Sequence, residues 1–175
     1  GYFELSSMGH KILKTPNIDR LASEGMRFTQ CLAGGPTCAP TRSVLLTGKH
    51  LGHTQIRGNR NKGPHISIAL TQDEFTLGEM FKSAGYVTGG FGKWGLGDGP
   101  GHPNKQGFDH WFGFLSQTRA HWYFPDYVWR NSQKVLLPGN PKTHEIYIHD
   151  QFTAEALRFL RDNQGRPFFL YLPYT

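Results

Sequence analysis

Apolar positions recur along this chain at helical and strand periods, and the switches between the two predict its elements. Thr15-Pro16 opens a first helix, with Thr as N-cap and Pro at the first helical position. Ile18, Leu21 and Ala22 share one face of it, and Gly25 stops it. Residues 26–33 read as a short strand, broken by Gly34-Gly35-Pro36. A second short helix is expected from near Pro40 to about Gly48. Leu77, Met80, Phe81 and Ala84 fall at i, i+3, i+4 and i+7, so a third helix is expected there, closed by Gly85 and followed by a strand over residues 86–91. Residues 92–111 are rich in Gly and Pro and read as irregular. Residues 149–163 read as a helix turning Phe152, Ala156, Leu157 and Leu160 inward, with Gly165 beyond its end. The apolar run 168–172 has strand length and the pattern of a strand covered on both faces.

Helices and strands in alternation predict a layered α/β domain whose sheet is largely parallel and flanked by helices. No repeat, low-complexity tract or linker interrupts residues 1–175, so one domain is expected. It is expected to be incomplete, because the last residues read as a strand leading into a loop.

Apolar residues make up 37% of the chain and aromatics 14%, enough for a folded core, which excludes a disordered segment. No run of about 18 apolar residues occurs, so no membrane span is expected. The formal net charge is +6. Its Lys and Arg residues are scattered and form no one-sided helical stripe, which argues against a nucleic-acid groove and leaves an anionic small substrate open. Two cysteines do not make a disulfide framework. Cys31 and Cys38 with His50 and His53 match no zinc-finger or zinc-ribbon spacing.

The chemistry concentrates in Cys38-Ala39-Pro40-Thr41-Arg42, followed by Ser43-Val44-Leu45-Leu46-Thr47-Gly48. Pro40 presets φ for a first helical turn, which puts Cys38 at or just before a helix N-terminus. The partial positive charge and N–H groups there favour an anion, and Arg42 one turn in adds a full charge. A thiol so placed has a lowered pKa. On these residues alone the segment is an electropositive nucleophile site, and thiolate catalysis is the natural reading.

Cys-x-Pro-x-Arg followed by a short apolar helix ending in Thr-Gly resembles the signature of the type I, formylglycine-dependent sulfatases. The resemblance extends through Thr15-Pro16-Asn17-Ile18-Asp19-Arg20-Leu21-Ala22, Ala84-Gly85-Tyr86, Phe91-Gly92-Lys93-Trp94, Gly107-Phe108-Asp109 and Pro167-Phe168-Phe169-Leu170-Tyr171, in order, over essentially the whole chain. It implies an alkaline-phosphatase-like mixed sheet and the activity of a sulfuric ester hydrolase. It also implies that a formylglycine-generating enzyme oxidises Cys38 to an aldehyde. The hydrated aldehyde then offers one oxygen to sulfur and another to a divalent cation, usually calcium, so that position 38 is both nucleophile and metal ligand. Arg42 would hold and polarise that diol, and Lys93 would donate to it and to a sulfate oxygen. The family's other metal ligands, two pairs of acidic or amide residues, would lie before Gly1 and after Thr175, so the chain alone is expected to be inactive. The substrate implied is a sulfate ester or sulfated glycan, and the location periplasmic or extracellular.

Some positions depart from the pattern. Thr41 stands where Ser is commoner and keeps the hydroxyl. Gly95 stands where many relatives carry a site histidine, which brings the chain nearest a bacterial subgroup reading Gly-Lys-Trp-Gly-Leu-Gly. Arg57-Gly58-Asn59 resembles a substrate-side loop of that subgroup, or is an ordinary polar turn. His121, among Trp122, Tyr123 and Phe124, is either a substrate-pocket residue or a packed core histidine. His53, His102 and His110 read as surface or core histidines. The G-x-G-x-x-G match over residues 90–95 is rejected as a dinucleotide site, because Asp98-Gly99-Pro100-Gly101-His102-Pro103 cannot open the helix it needs. Two rival functions remain at this point: a phosphate or phosphonate ester hydrolase of the same superfamily, and a catalytically dead relative that binds sulfated glycans.

Overall fold

The computed structural model describes residues 2–59 and 69–175. They fall into two compact units, Gly1–Ala33 and Gly34–Thr175.

In the first unit, 3-10 turns at Tyr2–Glu4 and Ser6–Met8 precede helix α1, Pro16–Glu24. Thr15 occupies the N-cap position, but its hydroxyl donates to Asp19 Oδ1 at 2.9 Å and makes no bond to the helix N–H groups. The Ser6 hydroxyl and the Ser7 amide donate to the same carboxylate. Hydrogen bonds, the one from Ser6 foremost, hold the Asp19 carboxyl below its ordinary range. Residues 26–33 do not form the expected strand. A strand needs a partner strand for its backbone N–H and C=O groups, and among the described residues of this unit no strand is formed. Met26, Phe28 and Leu32 stay exposed.

The second unit carries α2 (Cys38–Thr47), α3 (Leu77–Ser83), β1 (Val87–Lys93), β2 (His110–Phe114), β3 (Tyr127–Arg130), β4 (Gln133–Leu136), α4 (Asn140–Thr143), α5 (Ile148–Asp162) and β5 (Phe168–Tyr171). The sheet order is β4-β3-β2-β1-β5. β1 runs parallel to both β2 and β5, while β3 and β4 add an antiparallel edge. The α/β class and mixed sheet agree with expectation. Helices cover two sides. On one, Ile148, Phe152, Ala156 and Phe159 of α5 pack with Phe91, Phe112 and Phe114. On the other, Ala39 and Leu46 of α2 pack with Trp94, Phe108 and Trp111.

Several elements differ from the sequence reading for identifiable reasons. Helix α5 turns in Phe159 instead of Leu157, which is exposed, and Leu160, which is half-buried. Residue 157 lies about 100° round the helix from Ala156. The Phe159 ring instead fills the space over Gly89 of β1, where a Cβ would sit 2.8 Å from it. The region 92–111 is irregular only in its middle, with 3-10 turns at Gly99–Gly101 and Pro103–Lys105. Gly92 and Lys93 belong to β1, and His110 and Trp111 open β2. Gly92 disguises the strand because it has φ +134° and passes so close to Pro173 that a Cβ would meet its carbonyl oxygen at 2.4 Å. β5 meets both buried clusters, Leu170 on one face and Phe169 and Tyr171 on the other, as its apolar run implies. It sits at the sheet edge, paired with β1, and Phe168 is exposed.

The β3–β4 hairpin has no counterpart among the elements expected from the sequence. It turns through Asn131 and Ser132, with Asn131 at φ +52°. Helix α3 is started by a capping box that the apolar spacing did not reveal: the Thr76 side chain accepts from the Glu79 amide, and the Glu79 carboxylate accepts from Thr76.

The α5 contact is what closes one side of the sheet over the site-bearing strands. Phe152 is fully buried, with ring centroids 6.1 Å from Phe112 and 5.9 Å from Phe114. Phe152→Ala is expected to destabilise the protein by about 3–5 kcal/mol, read from urea denaturation. A loss below about 1 kcal/mol would mean that α5 is not part of the cooperative core.

Candidate active site

The site is built where α2 begins and β1 ends. Thr37 is the N-cap and Cys38 the first residue of α2, so the helix starts two residues earlier than Pro40. Pro40 is tolerated because no intrahelical partner exists for an N–H in the first turn. The helix ends on Gly48 at φ +66°, whose N–H donates to the Val44 carbonyl. The anion-binding capacity of this N-terminus is narrower than the sequence implies. Pro40 has no N–H, and the Ala39 N–H is already taken by Asn59 Oδ1 at 3.0 Å. Side chains must therefore supply most of the donors.

Lys93 supplies the principal one. It is the last residue of β1 and only 4% exposed, and its ammonium lies against Cys38. Burial pushes the Lys93 ammonium below its usual range; the Cys38 sulfur opposes that, and the Arg42 charge adds to it. Arg42, one turn into α2, donates through Nη1 to the Lys93 carbonyl at 2.5 Å, and its guanidinium also lies near the Tyr171 hydroxyl at the end of β5. Burial raises the Tyr171 phenol, and the Arg42 charge partly offsets that. Arg42 thus ties α2 to the end of β1 while placing its charge beside the site.

The largest single influence on Cys38 is burial, which pushes its thiol up. Lys93, with hydrogen-bonding contacts from Asn59, Lys93 and Gln117, outweighs it and leaves the thiol below its ordinary range. Cys38 is a free, half-buried cysteine.

The structure thus brings Cys38, Arg42, Lys93 and Asn59 together. Arg57 is exposed and turns back on its own loop, Nε donating to the Thr54 carbonyl at 3.1 Å. His121 is exposed, in the 3-10 turn Arg119–His121 after β2, so the packed-core reading of it is set aside. Among the described residues, His102 is the buried histidine: its Nδ1 accepts from the Asn104 amide at 3.2 Å. Gln117 was not anticipated. Nothing in its own neighbourhood of sequence marks it, and the only hint is the absence of a side chain at Gly95. Among the described residues no three His, Cys, Asp or Glu side chains gather into a metal cluster. The groups around Cys38 are N–H donors, suited to an oxyanion and not to a cation. By themselves, the described residues of this chain do not complete a calcium cage. No helix among them is long and apolar enough to cross a membrane.

Residues 1–175 match the family model described as Sulfatase. The chain belongs to the sulfatase family. It is 37% identical over 191 residues to the N-acetylgalactosamine-6-sulfatase of Canis lupus familiaris, with 98% of this chain and 36% of that one covered. Against the arylsulfatase of Hemicentrotus pulcherrimus it is 34% identical over 200 residues, with 100% and 35% covered. It superposes on the crystal structure of Ps i-CgsB in complex with k-i-k-neocarrahexaose with TM-score 0.81 and 29% identity, over 100% of this chain and 42% of that one. On BT4656 in complex with its substrate D-glucosamine-2-N,6-O-disulfate the TM-score is 0.74 and the identity 30%, over 97% and 30%. This sulfatase chain spans about a third of the length of the curated relatives it matches.

The lowered thiol is directly measurable in protein whose Cys38 is still a cysteine. Iodoacetamide alkylation of Cys38, read by peptide mass mapping with Cys31 as internal reference, is expected to reach its half-maximal rate below the pH of an ordinary thiol, about 8.5. Lys93→Met removes the stabilising charge, so the midpoint is expected to rise and alkylation at pH 7 to slow. An unchanged midpoint would show that Lys93 does not act on position 38.

Proposed function

We propose that this chain is the nucleophile-bearing part of a sulfuric ester hydrolase that works through a formylglycine made from Cys38. The observation that carries the reading is the convergence of Lys93, Arg42 and the N-terminus of α2 on Cys38. Three sources of positive charge on one small site need an anion there, and a tetrahedral sulfuryl group supplies it.

One hydroxyl of the hydrated aldehyde would lose its proton and bond to sulfur as the S–O bond to the alcohol breaks and the alcohol leaves with a proton. The second hydroxyl would then lose its proton as the C–O bond to sulfate breaks, returning the aldehyde, which water hydrates again. The chain's own residues do the rest. Asn59 holds the first turn of α2 through Ala39 N–H and faces position 38. Lys93, dry and preorganised, donates to an oxygen of the group in transit, where its charge is worth far more than in water. Arg42 adds charge and keeps Lys93 and position 38 in register. Calcium is part of this reading, with position 38 as the ligand from this chain and carboxylates contributed from outside residues 1–175. Arg57, Asn59 and His121 are proposed as substrate-side residues. The reading takes as substrate a sulfate ester, free or on a glycan. Support for the glycan comes from relatives described as acting on or holding sulfated sugars. A formylglycine-generating enzyme is the required partner, and the periplasm or the extracellular space the location.

Two measurements on the full-length protein, co-expressed with that enzyme, test the reading. Peptide mass spectrometry is expected to show loss of sulfur and gain of oxygen at position 38; an active protein that keeps a thiol there would refute it. Lys93→Ala is expected to lower turnover of an aryl sulfate by about two to three orders of magnitude while leaving the protein folded. Phosphate and phosphonate esters assayed alongside, if preferred, would move the assignment to those substrates.

A further inference from the structure

Gln117 carries more of this site than its place in the chain suggests. The pairing of β1 with β2 continues past both strand ends: Trp94 N–H donates to the Phe114 carbonyl at 2.8 Å and Gly95 N–H to the Leu115 carbonyl at 3.3 Å. That extension carries the loop after β2 alongside Gly95 and delivers Gln117 to the site. Gln117 is 8% exposed, and both its amide nitrogen and its amide oxygen are buried without a hydrogen-bond partner of ordinary geometry. Buried carboxamides without partners are costly and rare, and an apolar side chain of the same volume would pack at no such cost. The orphaned amide therefore points to a ligand.

Gly95 exists to make room for it. Gly95 has φ +72°, and a Cβ there would lie 2.2 Å from Gln117 Oε1 and 3.8 Å from Lys93 Cε. Any side chain at 95 would push Gln117 out of the site. Oε1 lies against Gly95, and the Gln117 side chain is close enough to Cys38 to help lower its thiol.

We propose that Gln117 is a substrate-contacting residue whose Nε2 donates to an oxygen of the tetrahedral anion held between position 38 and Lys93. The proposal rests on the sulfatase reading for the identity of that anion. It assigns Gln117 a role in binding the transferring group, alongside the charge supplied by Lys93.

The test uses the full-length, aldehyde-bearing enzyme with two near-isosteric variants. Gln117→Met removes the donor and keeps the volume. It is expected to lower kcat/KM for an aryl sulfate by about 100-fold, with wild-type aldehyde content and melting temperature. Gln117→Glu replaces the donor by a carboxylate. Its loss is expected to be at least as large at pH 8 and to shrink, relative to wild type at each pH, as the acid protonates and can donate again; a merely structural role would show no such recovery. Calorimetric titration of inorganic sulfate into protein whose Cys38 is unconverted gives an independent readout, with Gln117→Met expected to weaken affinity by about tenfold. Gln117→Met with wild-type kcat/KM and wild-type sulfate affinity would overturn the proposal. An aldehyde-bearing wild type that binds sulfate but turns over no sulfate ester would refute the sulfatase reading instead, and the sulfate titration alone would then decide on Gln117.

Discussion

The guanidinium of Arg42 is the interaction on which the site depends. One group on α2 reaches the carbonyl of Lys93 at the end of β1 and the hydroxyl of Tyr171 at the end of β5. The strands pair through their backbones, and α2 packs on them through Ala39 and Leu46. Packing of that kind tolerates sliding, because apolar contact is non-directional. A planar guanidinium bonded to one strand end and set beside the next does not. It sets the position of Cys38 relative to Lys93, which lies 51 residues beyond Arg42 in the chain.

The same contact concentrates positive charge. Arg42 and a helix N-terminus lie beside Lys93, whose burial leaves its charge poorly screened. Lys93 shows the strain of that arrangement in its depressed ammonium, and Cys38 its benefit in a lowered thiol. A site of this kind is complementary to an anion before any substrate arrives, which is the economical form of electrostatic catalysis. The two cations have different duties. Lys93 presents its charge to the site, whereas Arg42 is committed through its hydrogen bond to the scaffold as well, so its removal mixes loss of charge with loss of register.

Gly95 and Gln117 illustrate how neighbouring strands share out one position. A side chain growing from 95 and the amide of Gln117 compete for the same space beside Lys93. The chain leaves 95 bare and fills the space from the adjacent loop. Relatives matched over nearly all of this chain cover only about a third of their own length with it.

Residues near one another in sequence determined the parts of this protein that local rules govern. Cys38-x-Pro40-x-Arg42 specifies a helix start with a nucleophile and a charge one turn apart, because Pro fixes φ and the helix repeat places residue 42 above residue 38. The α/β class followed from alternating helix and strand periods, and the family from several short motifs in order. The strand at residues 26–33 and the inward face of α5 at Leu157 were misjudged for one reason. Each depends on which partner the segment meets, and apolar periodicity does not name partners. The β3–β4 hairpin escaped because its strands are short and their turn rests on Asn131 in a left-handed conformation. Asn59 was a candidate from the sequence within Arg57-Gly58-Asn59, but the contacts that build the site around Cys38, Arg42 and Lys93 were legible only in three dimensions. Asn59 capping the Ala39 amide, Tyr171 meeting Arg42 and Gln117 seated against Gly95 are encounters between residues 20 to 129 positions apart. Only the pairing of β1 with β2 and β5, and the packing of α2 upon them, brings such residues together.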